Sequence, residues 1–322
     1  MFNSMAIEIV LAYIADLILG DPRWFPHPVK GIGWLIKKLE PVLRKVFRNE
    51  RIGGTIFAVS VISISWYFSF IIIKAAFSIN RYLGSLSSIF IVYSSLAAKD
   101  LDVESMEVYR PLESKDITLA RKKLSLIVGR DTNNLEYQDV IRATVETIAE
   151  NIVDGIISPL FYVFIGGAPL ALAYKAINTL DSMVGYKNAK YKDFGWASAK
   201  IDTLANFIPA RLSVLFLSLA SLFAGKNAVN SLRMAVRDGK SNPSLNSGIP
   251  QACVAGALGV QLGGLNYYGS RLVLKPFIGD KINALESVHI KDSIKISYIC
   301  SALFLITGVF LITCIGKGVN IR

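Results

Sequence analysis

Four ionisable residues recur at helical spacing in the stretch RATVETIAENIVDG, residues 142–155: Arg142, Glu146, Glu150 and Asp154 share one face of a helix. Three carboxylates in such a ladder repel one another, each neighbouring pair by roughly 0.2–0.5 kcal/mol on an exposed helix. Arg142 offsets only its nearest neighbour. A bound hard cation such as magnesium, which takes oxygen ligands, removes the repulsion. A solvated face of an amphipathic helix is the competing explanation. The ladder runs directly into apolar sequence from Ile156, where carboxylates are costly and usually have a partner. That placement favours the cation.

Three more polar clusters sit in or beside apolar sequence. In YKAINTLDSMVGYKNAKYKDFG, residues 174–195, Lys175, Asn178 and Ser182 share a helix face, Asp181 lies near Asn178, and Gly185 can end the helix. Lysines beside Asn and Asp suit phosphate oxygens and a metal. A juxtamembrane basic anchor explains Lys187, Lys190 and Lys192 equally well, but not Asn178 and Asp181. In AKIDTLANFIPARL, residues 199–212, Asp202 and Asn206 are four apart and Arg211 follows Pro209. An Arg inside a span is a functional candidate, or it snorkels to the interface. RDGKSNPSLNSGIPQACVAGALGVQLGG, residues 237–264, is rich in Gly, Ser, Asn and Pro. Its first half, around Asn246, Ser247 and Gly248, can present backbone N–H groups to an anion beside a helix beginning near Pro250. Small residues in its second half suit close helix packing. The Gly239-Lys240-Ser241 triplet does not follow a Gly-rich loop, so the stretch is not a P-loop. LGDPRWFPHPVKGIG, residues 19–33, adds Asp21, Arg23, His27 and Lys30 in a proline-fixed turn.

These clusters need a scaffold, and the composition says which. Of 322 residues, 52% are hydrophobic and only 18% charged, below the roughly 25% of soluble domains. Mean hydropathy is +0.45. Gly53 to Ile73 and Ile296 to Ile315 carry no charge, and each matches the ~20 residues that cross a bilayer. Shorter or broken candidates are Ile7 to Gly20, Tyr82 to Ala98, Gly155 to Tyr174 and Leu212 to Gly225. Gly155 to Tyr174 contains Pro159, Gly166, Gly167 and Pro169, which fits a broken or re-entrant helix. Strand signals are scarce. The expected fold is all-α: a single polytopic membrane domain over 1–322, with about four to six membrane helices and a cytoplasmic helical loop at about 99–151. In that loop Pro111 is expected to break a helix, Ser114 or Asp116 to cap the next, and Asn133 or Asn134 to cap the ladder helix.

The formal charge is +11. Eight Lys or Arg residues lie in Asp21 to Arg51 and eight in Lys99 to Asn151, as cytoplasmic loops require by the positive-inside rule. No basic run is interleaved with aromatics as single-strand binders are, so nucleic acid is not an expected partner. Cys253, Cys300 and Cys314 fit no zinc spacing, and the two histidines argue against a His-based metal centre.

Five stretches in order, GDPRWFPHPVKGIG, RATVETIAENIVDGIISPLFY, YKAINTLDSMVGYKN, FGWASAKIDTLANFIPARL and NPSLNSGIPQACVAGALGVQLGG, resemble the adenosylcobinamide-phosphate synthase family of cobalamin biosynthesis, the CbiB/CobD type. The resemblance covers nearly the whole chain. Thr203, Asn242, Leu245 and Gln251 depart from residues common in the family. The resemblance implies a multi-pass inner-membrane ligase with its active site facing the cytoplasm. It joins a corrinoid carboxylate, that of adenosylcobyric acid, to aminopropanol or its O-phosphate, using ATP and Mg2+. In that chemistry Glu146, Glu150, Asp154 and Asp181 are expected to hold magnesium, and Glu146, Glu150, Lys175 and Asp181 to form the catalytic group. Lys175, Lys187 and Arg211 would neutralise phosphates, with Asn246, Ser247 and Gly248 as a phosphate cradle. Asn151, Asn178, Asp202 and Asn206 would orient ligands, and Arg23 and His27 would meet the corrinoid. An ion-coupled transporter and a membrane sensor like the related AmpE type are the alternative classes.

Overall fold

The structure, a computed structural model, describes residues 2–22, 24, 27–268 and 271–319. In chain order its helices are α1 (Phe2–Leu19), α2 (Pro28–Val46), α3 (Glu50–Ile79), α4 (Arg81–Tyr93), α5 (Ala98–Glu113), α6 (Ile117–Leu124), α7 (Tyr137–Ile152), α8 (Ser158–Val184), α9 (Trp196–Ala205), α10 (Phe207–Phe223), α11 (Ala228–Asp238), α12 (Gly248–Leu258) and α13 (Val288–Val319). A π-helical turn, Val153–Ile157, follows α7. One antiparallel hairpin, β1 (Leu262–Tyr268) and β2 (Arg271–Ile278), interrupts the helices. The all-α expectation holds apart from that hairpin, which it did not anticipate.

The helix starts follow side-chain chemistry. Asn49 accepts from the Arg51 and Ile52 N–H groups, Asn80 from Leu83, Asp116 from Leu119 and Asn227 from Asn230. Each satisfies a backbone donor that the helix start leaves open. The expected Asn133 or Asn134 cap is replaced by Glu136, in a reciprocal capping box with Asp139. Pro111 does not break α5; it sits in the last turn, where the helix ends two residues later.

Among the described residues, three helical stretches are long and apolar enough to cross a membrane: Glu50–Ile79, Tyr137–Val184 and Val288–Cys314. Trp196–Ala205 with Phe207–Phe223, bent by 41°, would make a fourth span. The expected break in the fourth apolar segment is present. Gly166 and Gly167 leave helical geometry inside α8, Gly167 at φ 68°, a backbone region open mainly to glycine.

The chain divides into two compact units built from non-contiguous segments: Met1–Ala97, Ser158–Asn206 and Leu305–Arg322 form the first, Ala98–Ile157 and Phe207–Phe304 the second. In the first unit, Phe57, Ala58 and Val61 of α3 and Leu160, Val163 and Ala171 of α8 are fully buried, as is Phe194. Arg44 fixes the 185–195 loop there. Its guanidinium stacks 4.0 Å from the Phe194 ring centre, donates to the Lys190 carbonyl at 2.8 Å and pairs with Glu40 and Glu50.

In the second unit, α12 is buried along its whole length against α11. A Cβ at Gly256 would lie 2.3 Å from the Asn230 carbonyl oxygen, so the small residues of 255–259 do serve close helix packing. The hairpin begins with a bulge at Leu262/Gly264. Gly263 there has φ 85°, and a Cβ would sit 2.1 Å from the Pro276 carbonyl oxygen, which only glycine avoids.

Candidate functional site

The ladder of the second unit splits into a part that anchors the hairpin and a part at the end of α7. Glu146 is buried, and both its oxygens are engaged: Arg130 donates to Oε2 at 2.5 Å and the Gly263 N–H to Oε1 at 2.9 Å. Arg130 also donates to the side chain of buried Asn266, whose amide donates to the Gly264 carbonyl at 2.9 Å. Arg142 donates to Asp139 at 2.8 Å and to the Leu265 carbonyl at 2.9 Å. Glu146 and Arg142 thus pin β1 to α7. A two-stranded hairpin is marginal alone, and this buried network supplies its anchorage.

Glu150 and Asn151 end α7, and Asp154 lies in the π turn, which places it out of strict register with the residues before it. Asn151 donates back to the Thr147 carbonyl at 2.9 Å. Beside Asp154, Val153 packs with Ala210 of α10 and Ile249 of α12 in one apolar cluster. Asp154, Arg211 and Gly248 are the sequence neighbours of these three residues. Arg211 donates to the Phe207 carbonyl at 2.7 Å and to Asn246 Oδ1 at 3.3 Å, with its guanidinium over the Phe207 ring. Ser247 occupies the N-cap position of α12 without a side-chain cap bond, and its N–H donates to Ser244 Oγ. Gly248 lets the turn close, since a Cβ would meet the Gly239 carbonyl at 2.7 Å.

At the other end of the hairpin, Arg237 donates to Asp238 and Asp280, and the Gly279 N–H donates to Asp238 at 2.8 Å. The Arg237 hydrogen bonds, and then the Gly279 N–H, hold the Asp238 carboxyl below its ordinary value. A depressed carboxyl contributes stability that is present above its unfolded value, near pH 4, and is lost as pH falls through the folded value. Asp238→Asn is therefore expected to flatten the acid limb of stability below about pH 4, read by thermal unfolding from pH 3 to 7.

In the first unit, Asn206 is a buried hub. Its Oδ1 accepts from Ser158 Oγ at 2.6 Å and Tyr174 Oη at 2.9 Å, and its amide donates to Asp202 at 3.1 Å. Tyr162 stacks on Tyr174 and donates to the Ala205 carbonyl at 2.9 Å. Asn206→Leu would leave two buried hydroxyls without their acceptor, at about 1–3 kcal/mol each. A clear loss of thermal stability is the expected outcome.

Lys175, Asn178 and Asp181 follow along α8, all half-buried. Gly185 ends that helix as expected, its N–H on the Asp181 carbonyl at 2.8 Å. A Cβ there would lie 2.0 Å from Asp181 Oδ1, so glycine also leaves room for this carboxylate. Lys187 is exposed in the following loop. His27 is tied locally: Nδ1 accepts from the Val29 N–H at 3.3 Å as the cap of α2, and Nε2 meets Asp21 at 3.0 Å. It thus helps fix the turn that opens α2. Arg23 lies outside the described residues.

The expected four-carboxylate magnesium site needs revision. Among the described residues, no group of three or more His, Cys, Asp or Glu side chains is gathered to hold a metal. Both Glu146 oxygens already accept hydrogen bonds, from Arg130 and from the Gly263 N–H. One or two carboxylates completed by phosphate oxygens and water are the usual protein share of a magnesium site. The sequence missed Arg130, Asn266 and Gly263 as partners of Glu146. Their separation along the chain leaves no local signal.

Residues 9–297 match the family model described as CobD/Cbib protein. A "Cobalamin biosynthesis protein CobD" of Geobacter metallireducens is 46% identical, over 95% of this chain and 96% of the relative. One from Clostridium acetobutylicum is 45% identical, over 97% and 99%. A "Cobalamin biosynthesis protein CbiB" of Salmonella typhi is 43% identical, over 92% and 93%. No solved structure matches the chain. With the family model and the relatives all aligned over nearly its full length, this multi-pass helical chain belongs to the CobD/CbiB family of cobalamin biosynthesis.

Proposed function

We propose that the chain is the amide-forming ligase of this pathway, joining the side-chain carboxylate of adenosylcobyric acid to aminopropanol or its O-phosphate at the expense of ATP. A carboxylate does not condense with an amine at neutral pH. In the proposed route its oxygen attacks the γ-phosphorus of ATP, releasing ADP and forming an acyl phosphate. The amine nitrogen then attacks the acyl carbon, phosphate departs, and a proton is lost to a base or to solvent.

What supports this reading is the match to the CobD/CbiB family over nearly the whole chain. Beside it stands one contact, the Arg211 guanidinium on Asn246 in the turn that opens α12, a pairing of cation and helix start that suits phosphate oxygens. Arg211 and the Asn246–Gly248 turn would bind phosphate oxygens. Glu150 and Asp154 would hold magnesium, whose part is to neutralise charge on the phosphates. On α8, Lys175 would neutralise a phosphate, Asn178 and Asp181 would orient the amine, and exposed Lys187 would attract the anionic substrates. Asp202 and Asn206 act here as positioning residues through Tyr174. The reading puts the protein in the cell membrane with the site on the cytoplasmic side, where the nucleotide is.

The test is purified protein with ATP, magnesium, adenosylcobyric acid and aminopropanol or its O-phosphate, with the corrinoid amide measured by mass spectrometry. Product formation is expected to depend on ATP. Absence of product with either amine and with any nucleotide sinks the reading.

A further inference from the structure

The first unit contains a cavity of about 440 Å³ between α2, α3, α4 and α8 that the ligase reading does not use. One wall is a face of α3, where Ile64, Phe68 and Ile72 recur every four residues, about 12 Å of helix at ~1.5 Å per residue. Leu172 of α8 and Phe90 and Ile91 of α4 help close it.

The wall has three hydroxyls, and all are used by their own helices. Ser65 donates to the Val61 carbonyl at 2.8 Å, Ser69 to Trp66 at 2.7 Å and Ser87 to Leu83 at 2.9 Å. None of these hydrogens is left for a ligand. A nucleotide, an amine or an amide-fringed macrocycle would lose hydrogen bonds to water here and find only the lone pairs of three hydroxyl oxygens in their place. Water is disfavoured too, because it needs two to four polar partners.

The cavity is open at the surface, where Trp34 and Phe68 are each 62% exposed. Exposed Tyr67 and Ile71, next to Phe68 and Ile72, continue this surface along α3, which is one of the membrane-crossing stretches. The cavity is therefore continuous with the lipid-facing side of a span, and the medium that reaches it is hydrocarbon.

We propose that this cavity is a specific binding site for one acyl chain of a bilayer phospholipid, retained while the surrounding lipids exchange. Gly31 in the wall gives a direct test, because a Cβ at this position meets no atom within 4 Å. Gly31→Leu fills the space without displacing backbone, and Ser69→Leu fills it from the opposite wall. Native mass spectrometry of protein purified in detergent is expected to show one phospholipid per wild-type chain and at least tenfold lower occupancy in both variants. A lipid-free wild type, or wild-type occupancy in both filled variants, overturns the proposal.

A second measurement leaves the cavity intact. With Trp24, Trp66 and Trp196 changed to Phe, the remaining Trp34 reports on the cavity mouth. Its fluorescence should stay quenched when protein loaded with phosphatidylcholine brominated on its chains is diluted into unbrominated detergent. Immediate recovery of the fluorescence refutes a retained lipid.

Discussion

Glu146→Ala is expected to destabilise the second unit by about 3–5 kcal/mol, the cost of leaving a buried charge without its partner. Arg130 would keep its guanidinium in a buried site with only the neutral side chain of Asn266 to meet it. The Gly263 N–H would lose its acceptor as well, for about 1–3 kcal/mol more if it stayed buried. The hairpin should then loosen from α7, which limited proteolysis within 262–278 would detect beside a lowered unfolding temperature. The double variant Glu146→Ala, Arg130→Ala should recover part of the loss, because it removes the orphaned charge. A metal ligand would behave differently. Its loss would leave unfolding in magnesium-free buffer unchanged while shifting the magnesium dependence of turnover. That second pattern would return Glu146 to the metal site.

Lys175→Ala is expected to lower amide formation by about 10²–10³-fold, the range for removing one preorganised electrostatic partner of a transition state. Its thermal stability should stay close to wild type, since Lys175 is half-buried on α8 and lies outside the Asn206 network. Lys175→Arg should recover only part of the activity: it restores the charge but carries it on a planar fork of different reach. Measuring KM for ATP and for aminopropanol O-phosphate separately would show which phosphate it serves. Wild-type turnover in Lys175→Ala removes the residue from the site.

The two variants fail in opposite ways because two motifs that look alike in sequence have different surroundings. Both place ionisable groups on a helix beside apolar sequence. For Glu146 the deciding groups are Arg130, sixteen residues earlier, and Gly263, 117 residues later. Helical periodicity registers neighbours three or four residues away and nothing beyond. The ladder is therefore not one uniform device: Glu146 binds a hairpin, while Glu150 lies in the last turn of α7 and Asp154 in the π turn. His27 likewise caps α2 locally and lies beside Asp21.

The hairpin was missed for a related reason. RLVLKPFI contains Pro276, which argues against a strand interior. It forms because its partner strand is held from outside by Glu146, Arg130 and Arg142, so tertiary contacts override local preference.

What the sequence determined by itself rests on short-range and additive physics. Apolar length identified the long spans, as bilayer thickness requires. The glycine pair 166–167 marked the break in α8, because one of its conformations is open mainly to glycine. Asp116 and Gly185 marked helix ends through bonds within a few residues. Ordered motifs carried the family. Only the tertiary structure could decide which charged groups are already satisfied, that Val153, Ala210 and Ile249 meet, and that a hydrocarbon-lined cavity opens beside α3. Those outcomes depend on which distant residues share a buried volume, and the energy of a charge depends on that volume more than on its neighbours in the chain.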